Sequence, residues 1–366
     1  MSDHPSLADL GWDATFAATF DPYAPDHVAA RVSRVDRGGA DLLGPRGLLR
    51  ATFGRDVLAG LATDRSTLPT VGDWAAVRRW PDDRVTIEAV LARRTSVVRG
   101  NADATSNAQV LAANVDLVVV VEHLDPEPDV GRIERLVVLA WGSGAQPLVV
   151  LTKADLVPDP AGMREEVATA APGVDVLAID AKSDEGAAAA RAYLAPGRTL
   201  ALLGPSGAGK STLVNSLAGT TVMATGQTRQ VDGKGRHTTT HRELVVLPGG
   251  GVVLDTPGLR SVGIVADQEA ITTAFPDIDE LASHCRFRDC EHQTEPGCAV
   301  LAAVEDGELD ERRLASWRKL GREAAFQARR SDARLRAQEV AVWKQRHMHM
   351  RRHNKLNPGK NSPWLR

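Results

Sequence analysis

Apolar residues follow two different textures along the chain. From about residue 27 to 105 they form short pieces, "HVAARVSRV", "RGLLRATF", "DWAAVRRW" and "RVTIEAVLARRTSVV", separated by Gly, Pro and Asp. Alternation at such short intervals predicts strands, and a five-stranded OB-type β-barrel fits the length. From about 106 to 270 the pattern changes to continuous apolar runs, "VDLVVVVEHL", "PLVVLTKAD", "VDVLAIDAKS" and "TLALLGPSG", each ending in a loop. Such runs read as buried parallel strands, and "VGRIERLVVLAWG" and "GAAAARAYLA" between them suit helices, which together predict a doubly wound α/β domain. Further on, "RELVVL" and "GVVLDTPG" flank "PGGG", whose glycines suit a tight reversal between antiparallel strands. A weakly patterned leader (1–26) precedes the barrel, and residues 271–366 hold a cysteine cluster followed by a basic helical tail.

Composition adds little until charge is divided by region. With 43% hydrophobic and 25% charged residues, the 366-residue chain reads as an ordinary soluble protein of several domains. The N-terminus "MSDHPSLADLGWDATF" carries acid instead of a basic segment, and no run reaches the roughly 18 apolar residues needed to span a bilayer. A cytoplasmic protein with no membrane contact is expected, with monomer as the default. The net charge of −3 conceals a tail, 329–366, with 11 Lys or Arg against only Asp332 and Glu339. A basic arm on an acidic body is a layout for reaching nucleic acid, although a merely solvated helix would look the same. In the barrel region Arg31, Arg34, Arg46, Arg50, Arg78, Arg79, Arg93 and Arg94, with Phe53 and Trp74, are candidates for a basic and stacking surface for RNA. Arginines on any strand's solvent face are the plainer reading.

The segment Gly204-Pro205-Ser206-Gly207-Ala208-Gly209-Lys210-Ser211-Thr212 matches a phosphate-binding loop between a buried strand and an apolar helix. Its glycines let backbone N–H groups wrap the β- and γ-phosphates, Lys210 neutralises them, and Ser211 suits Mg²⁺. "DTPG" follows at a strand end, where Asp255 would hold Mg²⁺ through water and the Gly258 amide would reach the γ-phosphate. Guanine needs an acceptor pair for its N1–H and exocyclic amine, which one carboxylate supplies. In Thr152-Lys153-Ala154-Asp155 that carboxylate is Asp155, with the Lys153 stem along the base face. In Asp180-Ala181-Lys182 the Ala181 amide suits guanine O6. Thr152 stands where Asn is usual and Asp180 where Ser is usual. Together the two loops point to GTP over ATP.

Both base-reading loops precede the phosphate loop, the reverse of the ordinary GTPase order. A cut and a join from "DAKS" onward to "TLALLGPSG" rebuilds the same domain, because strand order in space need not follow chain order. The chain is therefore read as circularly permuted. At this point it resembles the RsgA (YjeQ) family of circularly permuted GTPases, through "AANVD" at 112–116, "TKAD", "GPSGAGKS", "GRHTTTHREL" at 235–244, "DTPGLR" and the cysteine cluster, from about residue 27 to 355. The resemblance implies late maturation of the small ribosomal subunit, GTP hydrolysis stimulated by that subunit, and the barrel and zinc regions on ribosomal RNA.

Where Ras-type enzymes carry a water-orienting Gln after DxxG, this chain has Leu259, so intrinsic hydrolysis should be slow. The family's catalytic histidine falls on His237. One of Thr238, Thr239 and Thr240, with Thr239 favoured, should complete the Mg²⁺ shell. All three cysteines lie in "HCRFRDCEHQTEPGC". Three thiolates and one imidazole suit one closed, structural Zn²⁺ site per chain, made by Cys285, Cys290, Cys298 and a histidine. His284 and His292 both qualify by position, and the family pattern favours His292. Switch II, at 258–266, leads almost directly into this module, so nucleotide state is expected to bear on it. Two rival readings stand beside a subunit-triggered GTPase. One is a GTP-gated RNA-binding module whose hydrolysis is incidental, and the other is a P-loop ATPase or kinase.

Overall fold

The structure, a computed structural model, describes residues 4–100, 109–223, 243–255, 263–264 and 267–331. Within the leader, residues 4–26 form a strap. Its helix α1 (Ala14–Phe20) starts at Asp13, whose carboxylate accepts from the Thr15 and Phe16 amides. The barrel follows as β1 (Val28–Asp36), β2 (Gly39–Gly44), β3 (Gly47–Phe53), helix α2 (Arg55–Thr63), β4 (Trp74–Arg79) and β5 (Val85–Val90), closed in the order β1-β2-β3-β5-β4. Only β3 and β5 pair in parallel. The expected five-stranded closed barrel is present, with Ala30, Val32, Leu42, Val77 and Ile87 filling its interior.

Strands β6 (Ser96–Gly100) and β7 (Gln109–Ala113) form a small antiparallel sheet with β14 (Gly263–Ile264), and lead into the main sheet. That sheet holds β8 (Leu117–His123), β9 (Gln146–Thr152), β10 (Asp175–Ala178), β11 (Thr199–Leu203), β12 (Glu243–Val246) and β13 (Val252–Asp255), in the order β10-β9-β8-β11-β13-β12. Among the described residues this sheet's only antiparallel pair is β12 with β13, across a turn whose Gly249, Gly250 and Gly251 all have positive φ. Val118 and Val120 of β8 enter one core while Leu117, Val119 and Val121 enter the other. A strand buried on both faces cannot alternate with polar residues, which explains the unbroken apolar run. Helices α3 (Val130–Gly142), α4 (Pro160–Ala170), α5 (Asp184–Arg191) and α6 (Lys210–Ala218) complete the layers.

The C-terminal module comprises α7 (Gln268–Ala274), α8 (Pro276–Ser283), α9 (Ala299–Glu305) and α10 (Glu311–Ser331). It packs against α3 and touches β14 of the small sheet. Arg313, buried, pairs with Asp277 at 2.6 Å and Glu134 at 3.2 Å and donates to Ala170 O at 2.7 Å. Arg312 reaches the same Glu134 at 3.0 Å, and Arg135 makes a two-pronged pair with Glu323 at 2.7 Å. Among the described residues no helix is long and apolar enough to cross a membrane.

Several candidate RNA-facing residues of the barrel turn inward instead. Trp74 is fully buried, with Trp12 and Phe16 against it at 4.7 and 5.8 Å. Arg93 pairs with buried Asp73 and donates to Ser66 O and Leu68 O. Arg94 stays exposed, pairing with Asp13 of the strap at 2.6 Å and lying over Phe16. Arg31, 1% exposed, donates to Leu10 O in the strap, to Gly72 O at 3.1 Å and to Asn114 O at 3.1 Å. Burial draws its guanidinium down to about 10, opposed by the carboxylates of Asp116 and Asp73, so it stays charged at neutral pH. Strap, barrel and the entry to β8 thus share one cation, each segment contributing a carbonyl to it. Replacing Arg31 by Met should cost about 3–5 kcal/mol, read as a lowered denaturation midpoint. Arg50→Met, at the half-exposed pair with Asp36 and Asp41, should cost under about 1 kcal/mol in the same assay.

Candidate nucleotide site and metal centre

Parallel pairing of β8, β9, β10 and β11 puts their C-terminal ends on one edge, with Thr152 beside His123 and Leu203 beside Val120 in register. The 204–209 loop leaves β11 there and turns into α6. A Cβ on Gly204, at φ 146°, would lie 2.0 Å from Val121 O, so only glycine lets the chain cross the end of β8 at this point. Lys210 curls over its own loop, its Nζ 2.8 Å from Gly204 O and 2.6 Å from Pro205 O. Ser206 and Gly207 are exposed, Ala208 is buried, and Ser211 and Thr212 are half-buried in the first turn of α6. Asp255 ends β13 in register with Leu202, on the same edge.

The 152–155 and 180–182 loops, the candidates for reading the base, are tied to each other, to the 204–209 loop and to α6. Thr152, 1% exposed, sets its hydroxyl 2.8 Å from Ala208 O and 3.2 Å from Glu122 O, bridging the phosphate loop and β8. Thr in place of Asn therefore still links the two loops. Lys153 adopts φ 61° and its ammonium donates to Asp125 O at 2.9 Å. Ala154 N donates to Ile179 O at 3.2 Å, joining the first loop to the second, and Asp155 is exposed in a single 3-10 turn. Asp180 takes up the role that Ser would have in shaping its loop: its carboxylate accepts from Lys182 N at 2.8 Å and its carbonyl from Ser183 N at 3.1 Å. The Ala181 carbonyl accepts from the Ser216 hydroxyl on α6. A cleft of about 410 Å³ adjoins this edge, lined by Lys182, Ser183, Arg191, Thr212 and Asn215 among others.

His237, Thr239, Gly258 and Leu259 lie outside the described residues. Two contributors were not singled out from sequence. Ser216 gave no signal beyond a hydroxyl within an apolar helix. Glu122 did give one: a carboxylate closing a buried apolar strand needs a partner, and it has Arg132 at 2.7 Å.

The cysteine cluster converges between α8 and α9. The ligand atoms of Cys285, Cys290, His292 and Cys298 lie within 4.8 Å of one another, with His292 Nδ1 at 3.5 Å from Cys285 Sγ and 3.4 Å from Cys298 Sγ. His284 is exposed and its Nδ1 meets Glu280 O at 3.0 Å, so it stands outside the group. Burial lowers the His292 pKa, which favours the neutral imidazole that a ligand must be. Burial and the adjacent Cys298 and Cys285 sulfurs push the Cys290 thiol up to about 11. Three sulfurs so close resist joint ionisation without a cation, and a bound metal ion removes that penalty. The cluster is wired into α10, where Trp317 lies 5.6 Å from the His292 ring and Arg318 donates to His292 O.

A barrel, a permuted sheet bearing three stitched nucleotide loops, and a Cys₃His module define a circularly permuted P-loop GTPase. Residues 90–265 match the family model described as RsgA GTPase. The chain is 50% identical over 349 residues to "Small ribosomal subunit biogenesis GTPase RsgA" of Streptomyces avermitilis, covering 94% of this chain and 92% of that protein. It is 49% identical to the protein of that name in Streptomyces coelicolor, covering 94% of each. Among solved structures it resembles YjeQ from Thermotoga maritima, at 26% identity and TM-score 0.59, covering 81% of this chain and 98% of that one. It also resembles YloQ, described as a circularly permuted GTPase, at 25% identity and TM-score 0.56, covering 82% of this chain and 96% of that one. The chain belongs to the RsgA family of GTPases.

Thr152→Val keeps the shape and removes the bridging hydroxyl, and should weaken GDP binding about tenfold by titration calorimetry. Metal analysis should find one ion per chain, lost in Cys298→Ser. Because ligation must displace thiol protons, apparent metal affinity should rise with pH and fall as acid returns them, and the raised Cys290 thiol extends that rise into the alkaline range.

Proposed function

We propose that this chain binds GTP on the loop edge of its main sheet, hydrolyses it to GDP and phosphate, and does so in biogenesis of the small ribosomal subunit. The subunit stimulates turnover, and hydrolysis is coupled to release. The observation that carries this reading is the stitching of Thr152 to Ala208, Ala154 to Ile179 and Ser216 to Ala181, which joins three loops distant in sequence into one surface. The names borne by the Streptomyces relatives support the ribosomal assignment.

In this reading Asp155 and the Ala181 amide read guanine, and the Lys153 stem covers it. Residues 204–212 hold the phosphates, with Lys210 offsetting their charge. Ser211 and Thr239 ligate Mg²⁺, Asp255 holds it through water, and the Gly258 amide meets the γ-phosphate. His237 orients the attacking water, a task Leu259 cannot perform. Zn²⁺ is the metal that best suits three thiolates and an imidazole with no open position, and its role is structural. Residues 27–105 form the RNA-facing barrel, with exposed Arg46, Arg50 and Arg79 replacing the buried residues as its contacts. Residues 106–270 form the GTPase unit, and 271–366 the zinc module and basic tail. The protein works in the cytoplasm as a monomer.

Turnover of GTP and ATP, each with and without purified small subunits, tests this reading. Strong stimulation with GTP alone is expected. Tight GTP binding without stimulated turnover would favour an RNA-binding module with incidental hydrolysis, a reading kept open by Leu259. His237→Ala should keep GTP affinity and lose at least about tenfold of stimulated turnover, whereas unchanged turnover removes the histidine from the mechanism.

A further inference from the structure

We propose that Glu122 and Arg132 are positioning residues for base recognition, acting through the loop 123–129 to place the carbonyl that anchors Lys153. The proposal rests on the reading of Lys153 and Asp155 as guanine contacts and adds residues that sequence analysis did not assign.

Glu122 lies at the C-terminal end of β8, 1% exposed, where its backbone and side chain hold different partners. The backbone carbonyl accepts from the Thr152 hydroxyl, toward the phosphate loop. The carboxylate has other partners, accepting from Arg132 Nε at 2.7 Å and from His123 N at 3.3 Å. Arg132 also pairs with Asp129 at 3.1 Å, and Asp129 caps α3 by accepting from Arg132 N at 2.9 Å. Both ends of the loop are thus gripped by one guanidinium. Inside it His123 Nδ1 meets Pro126 O at 2.9 Å, and Leu124 N donates to Thr152 O at 3.0 Å, tying the loop to the residue before Lys153.

This frame presents Asp125 O to Lys153 Nζ at 2.9 Å. Lys153 is fixed at its other end by a left-handed backbone conformation, and the next amide is bonded to Ile179 O. A lysine held at both ends has its four-carbon stem laid in one course along the loop edge. A stem so placed offers a flat apolar contact to a purine without first losing rotamer entropy. The structural alternative is that the ion pair only steadies the start of α3. In that case its loss would not act through Lys153.

The test is a double-mutant cycle on the full chain, read by GDP titration and by competition with inorganic pyrophosphate. Glu122→Gln with Arg132→Met removes both charges together, so neither is left buried alone. GDP affinity should fall about tenfold and pyrophosphate affinity stay within about twofold, because only the base contact is disturbed. In a Lys153→Met background the same pair should add less than about twofold. Arg132→Lys, which keeps the charge but not the planar fork, should weaken GDP about threefold, and it decides the question if the paired variant does not fold. Unchanged GDP affinity in either variant, parallel loss of GDP and pyrophosphate, or full additivity with Lys153→Met would each overturn the proposal. Failure of the guanine reading itself shows separately, as a wild-type chain that binds ADP as well as GDP.

Discussion

Strand β8 is the constraint on which the rest of the molecule depends. It lies in parallel between β9 and β11, so the loop that ends each neighbour must emerge beside it. Its start is fixed by Asp116, whose carboxylate accepts from Thr199 N at 2.8 Å and whose carbonyl accepts from Gln146 N at 3.1 Å, setting the registers of β11 and β9 together. Just upstream, Arg31 binds Asn114 O along with the strap and the barrel. At the other end Val121 O leaves room only for Gly204, and Glu122 O receives Thr152. Chain order can then be permuted at little cost, because the site is assembled by lateral pairing and not by succession.

The same logic bears on the C-terminal module. From sequence alone it hangs from switch II. In the structure Arg313, Arg312 and Arg135 fasten it to α3, the helix that follows β8. These hydrogen-bonded ion pairs tie the module to α3 independently of the chain segment that leads into it. The metal cluster joins this arrangement through His292, whose ring meets Trp317 and whose carbonyl takes Arg318 of α10. A metal ion held by this cluster would therefore also brace α10.

Much of this was legible in the sequence because the signals were long or chemically exclusive. The doubly buried strands had no polar alternation to confuse with a helix. The phosphate loop sat between the two elements it requires. Three cysteines in one segment left few alternatives, and the family pattern favoured His292 over His284, which the structure sets outside the group. The strap was not legible, since α1 spans seven residues and its anchors, Leu10 and Phe16, show no period. The inward arginines were misread for a general reason: Arg31 and Arg93 look like surface residues until the carbonyls that bury them, from segments far away in sequence, are seen. Thr152 and Asp180 looked like weaknesses in the base-reading loops. Their hydrogen bonds show that short side chains there do the same linking.

The central claim is that a loop placed before the phosphate loop in the chain reads the base bound by it in space. Asp155→Asn tests this most directly. A carboxylate accepts from both the N1–H and the exocyclic amine of guanine, whereas a carboxamide offers one acceptor and one donor, the complement of the N1–H and 2-oxo groups of xanthine. Titration of the variant with GDP and XDP should show its preference inverted toward xanthine. A variant that still prefers GDP, with XDP no tighter than in the parent chain, would contradict the account.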